Sequence, residues 1–264
     1  MFDWFGADRF ERALRSAAKH YDIKIAEKTG ENEYVFSKEA ISVSVDTTEV
    51  RREFARTRSQ ETADIFAEKI LRQLDLEKRL VSFTNAQAFL RLIAVNENEV
   101  RRGMITGDFA GSLKKAVCYT SDGYDITMLD EAVLKRWAVP KEVLFSVADR
   151  NMGRIFAKTE YNCSQLENGI TVYEYESKGD PLTVSMMLCT DFHDFISEKL
   201  GDIFYAAAPS RESMLAVGDG GKSMLESLAA AVVRDNKWAD EPLTTDIFRF
   251  SPSGVTIVNG INTD

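Results

Sequence analysis

The chain has few cysteines, few histidines, no excess of positive charge and no long apolar run. Its three cysteines, Cys118, Cys163 and Cys189, form no close pair, and an odd number in 264 residues is not typical of a disulfide framework. We therefore expect free thiols and a reducing compartment. The two histidines, His20 and His193, are too few for most metal centres, which need three or four converging ligands.

The remaining absences bear on location and partners. A formal net charge of −9 and a pI near 5.0 argue against a broadly nucleic-acid-binding or anionic-membrane-binding surface, because the overall field repels phosphate. No segment reaches the roughly 18 uninterrupted apolar residues of a membrane span. The first residues include Asp3 and Asp8 and resemble no signal or transit peptide. We expect a soluble, cytoplasmic protein.

Phe2, Trp4 and Phe5 are predicted to fold back on the first helix, with a surface anchor as the alternative.

Apolar residues make up 44% of the chain, which is enough for a substantial core in one large or two modest domains. The order of helical and alternating patterns predicts an α+β protein with antiparallel or mixed sheets, helices packed mainly on one face, and two subdomains. Residues 1–80 are predicted to form an α-β-β-β-α subdomain. Its predicted elements are a helix over 8–20, strands over 22–26, 33–37 and 41–45, and one long helix over 48–74.

Residues 81–264 are predicted to form a second α+β domain of hairpins alternating with helices. Residues 89–95 fit either a strand or the end of a helix, and a strand over 117–119 is expected to end in the Ser121-Asp122-Gly123 turn. Thr127 is a candidate N-cap for one helix, and Pro140 starts another. The later predicted elements are strands over 170–175, 182–188, 203–207 and 214–217, helices over 192–200 and 222–234, and a hairpin of 247–250 with 255–258.

The segment from Ala216 to Ser223, AVGDGGKS, fits a relaxed phosphate-loop pattern in which alanine replaces the first glycine. Backbone N–H groups at Gly220 and Gly221 would cradle a phosphate, Lys222 would neutralise it, and Ser223 would hold a magnesium ion. No apolar strand that ends in a partner aspartate follows, so nucleotide hydrolysis is disfavoured. The alternative is a tight glycine turn that opens a buried helix.

The run Cys189-Thr-Asp191-Phe-His193-Asp194 gathers a thiol, an imidazole and carboxylates, as a metal site or a nucleophile would require. With so few histidines, Asp191 is better interpreted as a helix N-cap, and Asp194 as favouring the positive first turn of the helix. We predict no metal and no cofactor. No serine lies in a Gly-x-Ser-x-Gly elbow.

Basic residues cluster at the start of the long helix, where Arg51, Arg52, Arg56 and Arg58 are interleaved with glutamates. A local phosphate-binding patch is one interpretation, and a solvated helix face with i, i+4 pairs is the favoured one.

Three segments carry a resemblance to a known family: AISVSVDTTEV before the long helix, YTSDGYDITMLDEAVLKRWAVPKEVLFSVADRNM, and IFYAAAPSRESMLAV before a helix. Together they resemble the YtpQ-like family of uncharacterised bacterial proteins over about three quarters of the chain. The resemblance implies bacterial origin, a cytoplasmic α+β fold and no assigned activity. It also matches the polar bend Pro209-Ser210-Arg211-Glu212, in which Arg211 is our candidate for an exposed functional side chain.

These patterns favour a non-enzymatic binding or interaction protein with a protein partner, because no set of reactive groups is complete. The alternative is a phosphate- or nucleotide-binding protein that uses Gly218 to Ser223 and binds a small anion. A weaker hypothesis is a metal-dependent hydrolase at His193. A deep polar pocket lined by Arg211, Asp122 and Asp125 would argue against the leading hypothesis.

Overall fold

The computed structural model describes residues 9–121, 126–166, 169–176 and 182–258, and these residues form helices and antiparallel sheets. The predicted α+β class is confirmed. The chain divides into two compact units between Asn85 and Ala86, whereas the sequence pattern predicts a boundary near Leu80. Some predictions concern residues outside those described: Phe2, Trp4, Phe5, Asp122, Gly123 and Asp125.

The first unit begins with the predicted α-β-β-β order, with an antiparallel three-stranded sheet in the order β1-β2-β3, but more than one helix follows the sheet. Its elements are α1 (Arg9–His20), β1 (Lys24–Lys28), β2 (Glu33–Lys38), β3 (Ile41–Asp46), α2 (Thr48–Thr57), α3 (Gln60–Arg79) and, across the boundary, the short α4 (Phe83–Ala86).

The core of the first unit forms where apolar residues recur at helical and strand periods. Five residues of α1 are buried at the i, i+3, i+4 spacing that turns one helix face inward. Alternate residues of the sheet point into the same core, since strand side chains alternate between the two faces of a sheet. The buried core residues are Phe10, Ala13, Leu14, Ala17, Ala18, Ile23, Tyr34, Phe36, Val43, Phe54, Ala63, Ala67, Ile70 and Leu74.

The single long helix predicted over 48–74 is wrong, because the chain breaks between α2 and α3. Arg58 ends α2 in the left-handed conformation, with φ of 51°, and its N–H donates to the carbonyl of Phe54. The hydroxyl of Ser59 then accepts the N–H of Glu61 and caps α3. A serine cap satisfies an N–H that has no partner within the helix, so a new helix starts there.

The second unit contains two antiparallel sheets and the remaining helices. The first sheet pairs β6 with β4 on one edge and with β5 and β7 on the other. Residues 89–95 therefore belong mainly to a strand. The elements of this half are a 3-10 turn (Gln87–Phe89), β4 (Leu90–Asn96), a second 3-10 turn (Glu97–Glu99), β5 (Thr106–Ala110), β6 (Leu113–Tyr119), β7 (Thr127–Met128), α5 (Glu131–Trp137) and α6 (Lys141–Phe156).

The second sheet of this unit has six strands in the order β13-β12-β10-β11-β9-β8, all antiparallel. Helix α8 covers one face, and aromatic residues of α6 and α7 contact Tyr175 on the other, although helices were expected mainly on one face. The elements are β8 (Asn162–Gln165), β9 (Thr171–Glu176), a 3-10 helix (Val184–Leu188), α7 (Thr190–Leu200), β10 (Phe204–Ala207), β11 (Ser213–Gly218), α8 (Gly221–Trp238), β12 (Ile247–Ser251) and β13 (Gly254–Ile257).

Two local predictions for the second unit are wrong. Thr127 caps no helix but lies in β7, and the carboxylate of Asp130 accepts the N–H of Val133 at 3.0 Å to cap α5. The segment 182–188 is not a strand, because its residues 184–188 form a buried 3-10 helix. A continuous apolar run shows burial but cannot distinguish a strand from a helix. Among the described residues, no helix is long and apolar enough to cross a lipid bilayer.

Candidate functional site

The glycine-rich segment from Gly218 to Ser223 does not form an open loop. Strand β11 ends at Gly218 and α8 begins at Gly221, so two residues separate the strand from the helix. The carboxylate of Asp219 already accepts the N–H of Gly221 at 3.1 Å. A negative side chain at this position disfavours an anion there.

The cation of this segment, Lys222, points to solvent rather than to a shared centre. Lys222 is 89% exposed, and its Nζ lies 3.6 Å from the carboxylate of Glu226, one turn along α8. Gly220 is required by packing, because a Cβ there would collide with the side chains of Ile170 and Met224. Anion binding at Gly218 to Ser223 stays a prediction that rests on the N-terminus of α8.

Arg211 is less exposed than the resemblance suggested. It lies in the bend between β10 and β11 with its side chain 22% exposed. One guanidinium nitrogen donates to both carboxylate oxygens of Glu99, at 2.7 and 2.6 Å, and another donates to the carbonyl of Ala94 at 3.0 Å. These bonds hold the bend against β4, which is a structural role.

The residues around His193 do not converge on one point. Cys189, not Asp191, occupies the N-cap position of α7, and the first N–H of the helix donates to the carboxylate of Asp149 at 3.0 Å. Burial raises the pKa of the Cys189 thiol to about 12. Nδ1 of His193 lies 3.3 Å from the carboxylate of Asp194. In the part of the chain that the structure describes, no group of three or more histidine, cysteine, aspartate or glutamate side chains could hold a metal ion.

The arginines near α2 do not form one patch either. The guanidinium of Arg51 lies over the ring of Phe10, 5.0 Å from its centroid, and donates to the hydroxyl of Tyr34 at 3.4 Å. Arg51 therefore belongs to the packing of the first unit. Arg56 is 80% exposed and pairs with Glu53 at 3.9 Å, as a solvated helix face predicts.

Strand β8 is a surface that the sequence analysis missed. It ends the order of the six-stranded sheet, pairs with β9 on one edge, and exposes all four of its residues. No described strand pairs with its other edge. The segment NCSQ has neither apolar alternation nor β-branched residues, so only its pairing with β9 identifies it as a strand.

The ladder between β8 and β9 shows which backbone groups face the open edge. The N–H of Leu166 donates to the carbonyl of Ile170 at 2.9 Å. In an antiparallel ladder the residues that bond inward recur at every second position, so Asn162 and Ser164 also bond toward β9. The N–H and C=O groups of Cys163 and Gln165 therefore point outward, without a strand partner among the described residues.

An apolar cavity of about 370 Å³ lies beside the carboxyl end of β8, between α8 and the sheet. Leu166, which is 46% exposed, forms its outer wall. Two hydroxyl groups, those of Ser223 and Ser227, are the polar side chains of the lining. The lining residues are Leu166, Val172, Leu215, Val217, Gly220, Ser223, Met224, Ser227, Leu228 and Ala231.

An acidic hollow of about 330 Å³ lies at the other end of β8. Glu160, Glu174 and Glu176 line it together with Tyr161 and Asn162. Glu174 pairs directly with Asn162 across the β8–β9 ladder, so the hollow continues the same strip of sheet that carries the apolar cavity. The edge is therefore negative at one end and apolar at the other.

Neither a protein family nor a curated protein nor a solved structure was found to match this chain.

Proposed function

We propose that this is a non-enzymatic interaction protein, which binds an extended segment of a partner protein as an added strand along β8. The edge of β8 with which no described strand pairs is the observation that supports this function. An edge strand without a partner can pair with another chain, and natural proteins restrain such edges with short strand length, lysine, proline or a covering element. Strand β8 is short, at four residues, but it carries no lysine or proline, and no described strand covers its edge.

Backbone pairing would supply affinity, and side chains at alternate positions would supply specificity. The outward N–H and C=O groups of Cys163 and Gln165 offer four hydrogen-bonding groups. On the face of the sheet shared with α8, partner side chains would meet Leu166 and the apolar cavity at one end, and Glu174 and Glu176 at the other.

The partner strand is expected to be basic at the end that meets Glu174, because opposite charges attract. Every pairing in this sheet is antiparallel, so an antiparallel partner strand would run from the Leu166 end toward the Glu160 end. Asn162 and Glu160 lie four and six residues before Leu166. The expected partner motif is therefore an apolar residue followed, four and six positions later, by lysine or arginine. A net charge of −9 disfavours a second copy of this chain.

A fluorescent peptide with leucine followed by lysines at those two positions tests this proposal by anisotropy. The wild type is expected to bind it, and to bind a peptide with glutamates in place of the lysines at least about tenfold more weakly. Equal binding of both peptides, or binding of neither, contradicts the proposal.

Two substitutions at one position test the backbone pairing. Cys163→Pro removes an outward N–H, while proline is tolerated where the N–H of an edge strand faces solvent. It is expected to abolish peptide binding. Cys163→Val keeps the N–H and is expected to bind like the wild type, so a loss in both variants would show that the side chain matters instead.

From the resemblance, we propose that this chain belongs to the YtpQ-like family and is cytoplasmic. The segments from Ala40 to Val50 and from Ile203 to Val217 support membership of the YtpQ-like family. The free thiols of Cys118, Cys163 and Cys189 support a cytoplasmic location. Fractionation of a bacterial cell that expresses the untagged chain checks the location, and recovery from the membrane or periplasm would contradict it.

A further inference from the structure

A second concave surface of the 86–264 unit has the opposite charge to the hollow beside β8. It is a cavity of about 430 Å³ between the carboxyl end of α6 and the turn that precedes β4. Three of its lining residues carry positive charge: Arg91, Arg154 and Lys158. Among the described residues, no carboxylate lines it. The complete lining is Ala88, Arg91, Asn151, Arg154, Ile155, Lys158 and Thr159.

Arg91 and Asn151 are held in place by the backbone of the turn. A guanidinium nitrogen of Arg91 donates to the carbonyls of Ala88 and Leu90, both at 2.8 Å. The buried amide of Asn151 donates to the carbonyls of Gln87 and Leu90, at 2.7 and 2.9 Å, and so ties α6 to the same turn. The wall of the cavity is therefore positioned before any ligand arrives.

Arg154 and Lys158 have no ion-pair partner in the described part of the chain. Both are exposed; Arg154 lies in the last turn of α6, and Lys158 lies two residues beyond the end of the helix. Cations are common at the carboxyl end of a helix, where they meet the negative end of the helix dipole. The helix dipole does not account for Arg91, because Arg91 lies in β4. Three positively charged residues thus line one cavity in a chain with a net charge of −9, and their mutual repulsion favours a bound anion.

We propose that this cavity binds the phosphate group of a small phosphorylated molecule. Guanidinium groups match the oxygens of a phosphate with parallel hydrogen bonds, and a lysine adds a compact charge. The volume lies within the range of small-molecule sites and exceeds what inorganic phosphate alone needs. The cavity lies apart from the β8 edge in its lining residues, so this inference does not depend on the proposed function.

Calorimetric titration with inorganic phosphate and with glycerol 3-phosphate, at constant ionic strength, tests the proposal. We expect saturable binding of both and tighter binding of the monoester. Tighter binding of inorganic phosphate would also support the phosphate site and would identify the free ion as its ligand. No saturable binding of either probe overturns the proposal.

A matched pair of double variants separates a specific site from general attraction. Arg154→Gln with Lys158→Gln removes two cavity charges from exposed positions, and binding is expected to weaken at least about tenfold. Lys141→Gln with Arg150→Gln removes two exposed charges from the same helix outside the cavity, and binding is expected to stay within about twofold. Equal weakening by the two pairs overturns the proposal. Urea unfolding of both pairs checks that they fold.

Discussion

The guanidinium of Arg211 donates to both carboxylate oxygens of Glu99, and the same side chain bonds the carbonyl of Ala94. Glu99 in turn accepts the N–H of Asn96 at 2.8 Å, as part of a capping box. The bend between β10 and β11 is thus joined to the end of β4 by charge-assisted hydrogen bonds, which are stronger than bonds between neutral groups.

Replacing Arg211 by glutamine is expected to lower the free energy of unfolding by about 1–3 kcal/mol, because Glu99 and the carbonyl of Ala94 lose their donors. Urea denaturation measures the change. Arg234→Gln is the matched control, since Arg234 pairs with Asp235 at the surface and such pairs contribute at most about 1 kcal/mol. Similar losses in the two variants would contradict the structural role of Arg211.

The same ion pair predicts a pH dependence of stability. Burial raises the pKa of Glu99, but hydrogen bonds from Arg211 and from the N–H of Asn96 outweigh it, so the pKa lies below its ordinary value of 4.5. A carboxyl group with a lowered pKa in the folded state contributes stability that is fully present above the ordinary value. That stability is lost as the pH falls through the lowered one.

Urea titrations at several pH values are expected to show a constant stability difference between the wild type and Glu99→Gln above about pH 5.5. The difference should shrink as the pH falls below 4.5. Arg211→Gln should reduce this dependence as well, because the carboxylate loses its main donor. A difference that stays constant through the acid range would show that Glu99 is not the titrating group.

Gly111 is predicted to be intolerant of a side chain. Its φ is +55°, and a Cβ there would collide with the carboxylate of Asp246 and the side chain of Ile257. The same carboxylate accepts the N–H and hydroxyl of Ser112, both at 2.7 Å, so it cannot move without losing those bonds.

Gly111→Ala is therefore expected to destabilise the protein by roughly 2–4 kcal/mol, from backbone strain and from the collision together. Gly103→Ala is the control, because Gly103 has a φ of +84° but no atom within 4 Å of a Cβ placed there. It is expected to cost about 1 kcal/mol. Thermal unfolding compares the two, and equal shifts in Tm would show that the close approach of Asp246 has no consequence.

The break between α2 and α3 predicts opposite effects for two arginine-to-glycine substitutions. Arg58 adopts a left-handed conformation that glycine accepts without strain, so Arg58→Gly is expected to stabilise the protein by about 0.5 kcal/mol. Arg52→Gly, inside α2, is expected to destabilise it by about 1 kcal/mol. Urea unfolding measures both, and destabilisation by both would favour a continuous helix.

The three thiols are expected to differ in reactivity. Cys163 is exposed on β8, whereas Cys118 and Cys189 are buried, and burial raises the pKa of each buried thiol to about 12. A thiol-specific chromogenic reagent at neutral pH should modify one group rapidly in the native protein and all three in denaturant. Cys163→Ser should remove the rapid reaction, and its persistence would place the exposed thiol elsewhere.

Local patterns were sufficient where an element has one apolar face. Helix α1 was predicted because its apolar residues recur at helical spacing, and the hairpin of β12 and β13 because two alternating runs flank Pro252 and Gly254. The strand predicted over 182–188 was wrong because a fully buried segment has no polar face that would reveal its period. The exposure predicted for Arg211 and the N-cap predicted at Asp191 were wrong for another reason. Glu99, which pairs with Arg211, and Asp149, which accepts the N–H of Thr190 at the start of α7, both lie far away along the chain.

The amino-acid sequence by itself determined the acidic charge, the α+β class, the free thiols and most of the elements, because composition and short-range periodicity act locally. The tertiary structure decided the rest. It joined Arg211 to Glu99, placed Arg91 beside Arg154 and Lys158, and left β8 at the end of a sheet. Each of these depends on which strands pair and how helices pack, and such long-range contacts leave no signature in a short stretch of sequence.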